Sequence, residues 1–100
     1  MSSMRPIHPG EVLREEIAEV GMTAIAFARA LHVPANRITA IVNGKRSITA
    51  DSALRLASFF GTTPEFWINL QTAYDLKIAK TTIGKRIQEQ IKLHKAPVAA

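Results

Sequence analysis

The segment VPANRITAIVNGKRSIT, residues 33–49, decides the fold and raises the question of function. Its apolar residues recur at the three- and four-residue spacing of one helix face, while the opposite face is small or polar. The pattern predicts a short helix that packs on a core with one face and is followed by a basic loop, NGKR, at residues 43–46. The inward-facing residues of this helix are Ile38, Ile41 and Val42.

The composition limits the class of protein. One hundred residues, 47% hydrophobic and 21% charged, fit one small globular domain. No apolar run approaches the ~18 residues of a membrane span, and the start of the chain lacks the basic-then-apolar order of a signal peptide. There are no cysteines, and the three histidines are scattered. We therefore expect a cytoplasmic protein without membrane contact, metal or other cofactor.

The net charge of +5 does not mark residues 33–49 as a nucleic-acid surface. Residues 1–75 carry equal numbers of basic and acidic side chains, so the whole excess lies in residues 76–100. A case for DNA binding must therefore depend on where particular residues lie in the fold.

Start and stop signals divide the chain into five helices. Threonine at 23, 49 and 63 is a suitable N-cap, and Thr63 is followed by proline and acid, the strongest helix start in the chain. Gly21, Gly61 and the Asn43-Gly44 pair supply residue types that tolerate a left-handed C-cap. The predicted helices span residues 11–20, 24–31, 35–42, 50–60 and 64–79.

Helical spacing also predicts which residues face inward. The fifth helix has more apolar residues than one stripe needs, so part of its surface should meet something beyond the core. In the other helices the inward sets are Leu13, Ile17 and Val20; Ala24, Phe27, Ala28 and Leu31; and Ala53, Leu54, Ala57 and Phe60.

The basic segment that follows the fifth helix fits two patterns. Isoleucine at 83, 87 and 91 recurs every four residues, although part of the same stretch also alternates as a strand would. Gln88-Glu89-Gln90 favours a frayed amphipathic helix. We therefore predict an all-α fold with an N-terminal arm at 1–8, a five-helix domain at 9–79, and a basic tail at 80–100.

The second helix, a tight turn and the two-faced third helix form the helix-turn-helix layout. Asparagine and arginine on the outer face could pair with adenine and guanine in the major groove. Basic side chains after the helix, and the free N–H groups where helices start, are suited to phosphates. The predicted phosphate contacts are Thr23, Asn43, Lys45, Arg46, Ser47 and Thr49.

Each feature alone has a simpler explanation, because any small helical domain has polar outer faces and solvated basic loops. The conjunction of cap, short turn, two-faced helix, Asn-Gly stop and basic loop within residues 23–49 favours DNA binding.

Three segments resemble one branch of a known family. Residues 23–49, TAIAFARALHVPANRITAIVNGKRSIT, resemble the XRE/Cro-type helix-turn-helix. HPGEVLREEI at 8–17 and GTTPEFWINLQTAYDLKIA at 61–79 resemble its HigA/VapI branch, the antitoxins of toxin–antitoxin pairs. The resemblance implies a homodimeric repressor of a palindromic operator in its own promoter, with residues 9–79 as the helix-turn-helix DNA-binding and dimerisation domain. It also implies a RelE-like, mRNA-cleaving toxin (HigB-like) as partner.

Four positions depart from that family's pattern. Ala24 and Ala40 stand where the family often has longer polar side chains that can contact DNA. His32 replaces a usual glycine in the turn, and Pro34 replaces a capping serine or threonine. The predicted base contacts are therefore restricted to Asn36, Arg37 and Thr39, with Arg37 the strongest.

The apolar excess of the fifth helix is consistent with the dimer that the resemblance implies. We predict that Phe66, Ile68 and Leu76 contribute to the dimer interface. Trp67 and Tyr74 are better explained as core or interface residues than as a ligand cage.

Other functions have less support. The chain has no HExxH, GxSxG, phosphate loop or cysteine nucleophile, so we expect no enzymatic activity. Two alternatives stay open: an XRE-type regulator without a toxin, and a helical protein-binding module. The basic tail could attract DNA phosphates, wrap a toxin or simply be solvated.

Overall fold

A computed structural model describes residues 5–94 and shows a chain of helices. Within these residues no helix is long and apolar enough to cross a membrane. The predicted arm at 1–8 and tail at 80–100 lie partly outside the described residues. The helices are α1 (Pro9–Val20), α2 (Ala24–Leu31), α3 (Ala35–Val42), α4 (Ala50–Phe60), α5 (Pro64–Ala79) and α6 (Lys85–Gln90).

Threonine caps start three of these helices, as predicted. The hydroxyl oxygen of Thr23 accepts from the Ala26 N–H at 3.1 Å. Thr49 and Thr63 accept in the same way from the residue three positions on, each at 3.2 Å. Each hydroxyl thus satisfies an N–H group that has no partner within its helix, and this fixes where the helix begins.

The start of α1 differs by two residues from the predicted one, because His8 provides a cap. The His8 Nδ1 atom accepts from the Gly10 N–H at 2.9 Å, and the Glu11 carboxylate accepts from the His8 N–H at 3.3 Å. This reciprocal pair lets the helix begin at Pro9 rather than at Glu11.

The core is built from one or two large side chains of each of the first five helices. Two predicted core positions are wrong: Val20 is 44% exposed and Leu54 is 58% exposed. Val20 is the last residue of α1, and Leu54 lies one position away from the buried stripe of α4, where Leu56 takes the inward place. The largest fully buried side chains are Pro9, Leu13, Phe27, Ile38, Ile41, Leu56 and Trp67.

The helical backbone continues past the predicted end of α5. A wider π turn at Lys80–Gly84 leads directly into α6. The hydroxyl of Thr82 donates to the Ile78 carbonyl at 2.8 Å, and such side-chain bonds to the preceding turn accompany local distortion of a helix. The predicted helical tail is therefore confirmed as far as Gln90, while the division at residue 79 stays a prediction.

Candidate nucleic-acid interface

The turn between α2 and α3 closes in a conformation that glycine adopts most easily. His32 has φ 59° and ψ 43°, the left-handed region, and is the one non-glycine residue with positive φ among residues 5–94. Its N–H donates to the Arg29 carbonyl at 3.1 Å, and the Val33 N–H donates to the Ala28 carbonyl at 3.0 Å. These bonds end α2 and set the direction in which α3 leaves, so the glycine-like turn is made despite the histidine.

The third helix has the two faces that the sequence predicts. Ile38 and Ile41 are buried, whereas Asn36 and Thr39 are exposed to solvent. No side chain caps the start of α3, as expected for Pro34. A row of polar side chains therefore stands on a short helix whose position is fixed by the core.

Arg37 does not extend freely from this face. Its side chain is only 25% exposed, and its Nη1 atom donates to Asp51 Oδ2 on α4 at 2.5 Å. The same carboxylate oxygen accepts from Arg55 Nε at 2.9 Å. Arg55 Nη1 in turn donates to the Leu31 carbonyl at 2.9 Å. We call Arg37, Asp51 and Arg55 the arginine–aspartate cluster.

The electrostatics of the arginine–aspartate cluster follow from these contacts. Hydrogen bonds from Arg55 and then from Arg37 hold the pKa of the Asp51 carboxyl below its ordinary value. The carboxylate is therefore charged at neutral pH, which places a negative charge beside the helix predicted to read DNA.

The loop after α3 is tightly held although its basic side chains are exposed. Gly44 takes the left-handed conformation at φ 74°, whereas Asn43 has φ −87°; of the predicted pair, only the glycine is left-handed. The Lys45 N–H donates to the Ala40 carbonyl at 2.8 Å. At the other end of the loop, the N–H of buried Ile48 donates to the side-chain carbonyl of buried Gln71 at 2.7 Å.

The predicted phosphate contacts lie at the surface. The structure also places a cation beside them that sequence reasoning did not identify: Arg14 on α1 donates to the Asn43 side chain and to the Val42 carbonyl, both at 3.4 Å. Thr23 and Thr49 use their oxygens as helix caps, and a hydroxyl that accepts in this way still has a proton to donate, which Thr49 gives to Ser52 Oγ at 3.4 Å. The exposed predicted contacts are Thr23, Asn43, Lys45, Arg46, Ser47 and Thr49.

The residues predicted for the dimer interface lie along α5 with unequal exposure. Phe66 is 43% exposed and Leu76 is 52% exposed, while Ile68 is half-buried against the core. Ile68 and the exposed Leu54 also line a groove of about 360 Å³ beside Pro64. Trp67 and Tyr74 are not a ligand cage, since Trp67 is in the core and Tyr74 packs edge-on against His8.

Two side chains of types that can catalyse reactions or bind metals make structural contacts in this protein. His8 and Glu11 form the start of α1, and Glu11 also pairs with Arg5 at 2.8 Å. In the described part of the chain, no three His, Cys, Asp or Glu side chains are grouped so as to hold a metal ion.

Comparison with known proteins gives close matches over most of the chain. Residues 13–67 match the helix-turn-helix family HTH_3. Virulence-associated protein I of Dichelobacter nodosus is 54% identical over 80 residues, which cover 79% of this chain and 74% of that protein.

Solved structures give the same result. An addiction module antidote protein of the HigA family from Coxiella burnetii is 59% identical and superimposes with a TM-score of 0.88, covering 91% of this chain and 100% of that one. The Pseudomonas aeruginosa antitoxin HigA, solved with the higBA promoter, is 46% identical with a TM-score of 0.85, covering 88% and 97%. These matches confirm the resemblance to the HigA/VapI branch.

Proposed function

This chain belongs to the helix-turn-helix family HTH_3 and to its HigA-type antitoxins, and from that premise we propose that it is a homodimeric repressor of its own toxin–antitoxin operon. The observation that carries the proposal is the exposed polar face of α3. Buried Ile38 and Ile41 fix this helix on the core, and the basic loop that follows it ends at the hydrogen bond from Ile48 to Gln71. The P. aeruginosa antitoxin that shares this fold was solved with promoter DNA. Such a repressor works where the chromosome is, in the cytoplasm.

We assign the reading of bases to Asn36, Arg37 and Thr39. Asparagine can bind adenine and arginine can bind guanine through two hydrogen bonds each, with about 1–3 kcal/mol of discrimination per correct pair. The small side chain of Ala40, on the same helix, lets α3 approach the groove closely.

The surrounding residues would hold the DNA backbone. Lys45 and Arg46 provide charge, and the starts of α2 and α4 provide N–H groups and threonine hydroxyls for phosphate oxygens. The anchoring of Ile48 by Gln71 keeps the loop in one position, so that phosphate contacts can set the register of α3. The full proposed phosphate set is Thr23, Asn43, Lys45, Arg46, Ser47 and Thr49.

A symmetric operator requires two copies. Two recognition helices one helical turn of DNA apart, ~34 Å, read the two halves of a palindrome. Phe66 and Leu76 expose large apolar side chains on α5, and Ile68 adds a half-buried one beside the groove at Leu54. We propose that these α5 residues form the dimer interface.

The partner protein is proposed from family membership. HigA-type antitoxins imply a RelE-like toxin that cleaves mRNA and that the antitoxin silences. A short toxin-like reading frame beside the gene would support this partner. Neutralisation is tested by two measurements: binding of the purified product to this chain, and restored translation in a cell-free assay. Failure of both would favour the alternative of an XRE-type regulator without a toxin.

The first experiment is DNA binding. Purified protein is titrated against DNA from its own upstream region and against unrelated DNA, at two salt concentrations. Wild type should prefer its own region, and Arg37→Ala should lose that preference. Arg86→Ala is the matched control, because it removes the same charge from an exposed position on α6. It should weaken binding to upstream and to unrelated DNA by the same factor. Weak binding that is indifferent to sequence would contradict the proposal and point to the basic tail alone.

A further inference from the structure

We propose that Asp51 is a positioning residue that gives Arg37 its sequence specificity. This inference rests on the proposed function, since it concerns how one of the base-reading side chains is presented. The proposed role is to hold the guanidinium in one orientation and to keep it from binding any nearby phosphate.

The position of Asp51 is defined from two sides. It is the second residue of α4, directly after the Thr49 cap and Ala50, and its Oδ2 atom accepts from both Arg37 and Arg55. Arg55 is itself fixed by its hydrogen bond to the Leu31 carbonyl at the end of α2. The arginine–aspartate cluster therefore joins α2, α3 and α4 at the point where the reading helix meets its neighbours.

This arrangement restricts how Arg37 can bind DNA. Its Nη1 atom is engaged by Asp51, which leaves the planar Nε and Nη2 edge as a donor pair suited to the two acceptors of guanine. Since the side chain is already ordered, less conformational freedom is lost when that edge meets a base. An untethered arginine would instead bind phosphates wherever they came within reach, which raises affinity for every sequence.

The charge of Asp51 acts in the same direction. The carboxylate offsets the Arg37 charge and so weakens the attraction of this side chain for phosphates in a non-specific complex. Removal of the carboxylate should therefore tighten binding to unrelated DNA while it gains nothing on the operator.

The chain offers a matched control. Glu65 is the second residue of α5, directly after the Thr63 cap and Pro64, and is exposed like Asp51. It takes part in none of the ion pairs found among residues 5–94. Glu65→Gln and Asp51→Asn each remove one negative charge from the first turn of a helix, so the two variants differ in the loss of the arginine–aspartate cluster.

The experiment measures dissociation constants by fluorescence anisotropy for upstream and unrelated DNA. In Asp51→Asn we expect the preference for upstream DNA to fall about 10-fold, mainly because unrelated DNA binds more tightly. In Glu65→Gln both affinities should change by one common factor. A preference in Asp51→Asn equal to that in Glu65→Gln would overturn the inference. A wild type with no preference would overturn the proposed function, and the inference with it.

A second comparison separates positioning from a general effect on the fold. In the Arg37→Ala background, Asp51→Asn should no longer tighten binding to unrelated DNA, because no guanidinium is left to release. An unchanged effect in that background would show that Asp51 acts through charge or folding alone. Thermal unfolding of each variant, followed by circular dichroism, establishes that the proteins compared are folded.

Discussion

Gly10 and Ile41 bring α1 and α3 into direct backbone contact. A β-carbon added at Gly10 would lie 1.9 Å from the Ile41 carbonyl oxygen, far inside any real contact distance. The start of α1 therefore packs directly against α3, the proposed DNA-reading helix. A side chain of any size at residue 10 must push these two helices apart.

Gly10→Ala should destabilise the protein by about 1–3 kcal/mol, the usual cost of forcing extra atoms into a packed site. Urea unfolding followed by circular dichroism measures the change. Gly84→Ala is the control, because a β-carbon there meets nothing closer than 3.8 Å and should be neutral or slightly stabilising. Equal stabilities for the two variants would contradict the close approach.

Gln71 should support both the fold and the DNA-binding loop. Gln71→Ala leaves the buried Ile48 N–H without its partner at 2.7 Å and should cost about 1–3 kcal/mol in unfolding free energy. Because the loop that carries Lys45 and Arg46 is then less fixed, affinity for upstream DNA should fall as well. Asn69→Ala, an exposed amide on the same helix, should change neither property.

The free energy of unfolding should depend on pH in the acid range because Glu11 titrates there. The hydrogen bond from Arg5 is the main cause that lowers the pKa of Glu11 from 4.5 to about 2. The folded pKa lies below the unfolded one, so this contribution is fully present above about pH 4.5 and is lost as the pH falls towards 2.

Comparison of wild type with Glu11→Gln by urea unfolding between pH 2 and pH 7 should therefore give curves that converge in acid. Glu16→Gln, an exposed carboxylate on the same helix, serves as the control and should show no such convergence. Parallel curves for wild type and Glu11→Gln would refute the role of the pair with Arg5.

Leu76→Glu tests the proposed dimer. A charge within the proposed apolar interface should weaken self-association by about 10-fold or more. Sedimentation equilibrium of the two proteins gives that ratio. Leu93→Glu, on a residue that is more exposed still, should leave the dimer unchanged, and a tight dimer in Leu76→Glu would place the interface elsewhere.

The arrangement of helices could be predicted from the sequence because local interactions determine it. The threonine caps, the glycine stops and the proline at the start of α5 act within four residues, so their order along the chain sets the bounds of most helices. The two faces of α3 follow from helical spacing in the same way. The family could also be recognised, since its motifs are short and contiguous.

Which residues are buried at the ends and edges of helices could not be predicted from local spacing. The inward place predicted for Leu54 belongs to Leu56, because the packing of α4 against α5, not the local spacing alone, decides which of two overlapping apolar stripes is covered. The same reasoning applies to Val20, which ends α1 at the surface.

The sequence by itself determined where the helices lie and which of them presents a polar face, because both depend on residues a few positions apart. Only the tertiary structure decided which contacts hold the side chains of that face and the loop that follows it. Arg37 meets Asp51 across 14 residues, and Ile48 meets Gln71 across 23. Such contacts follow from the way helices pack together, and no local spacing in the chain specifies them.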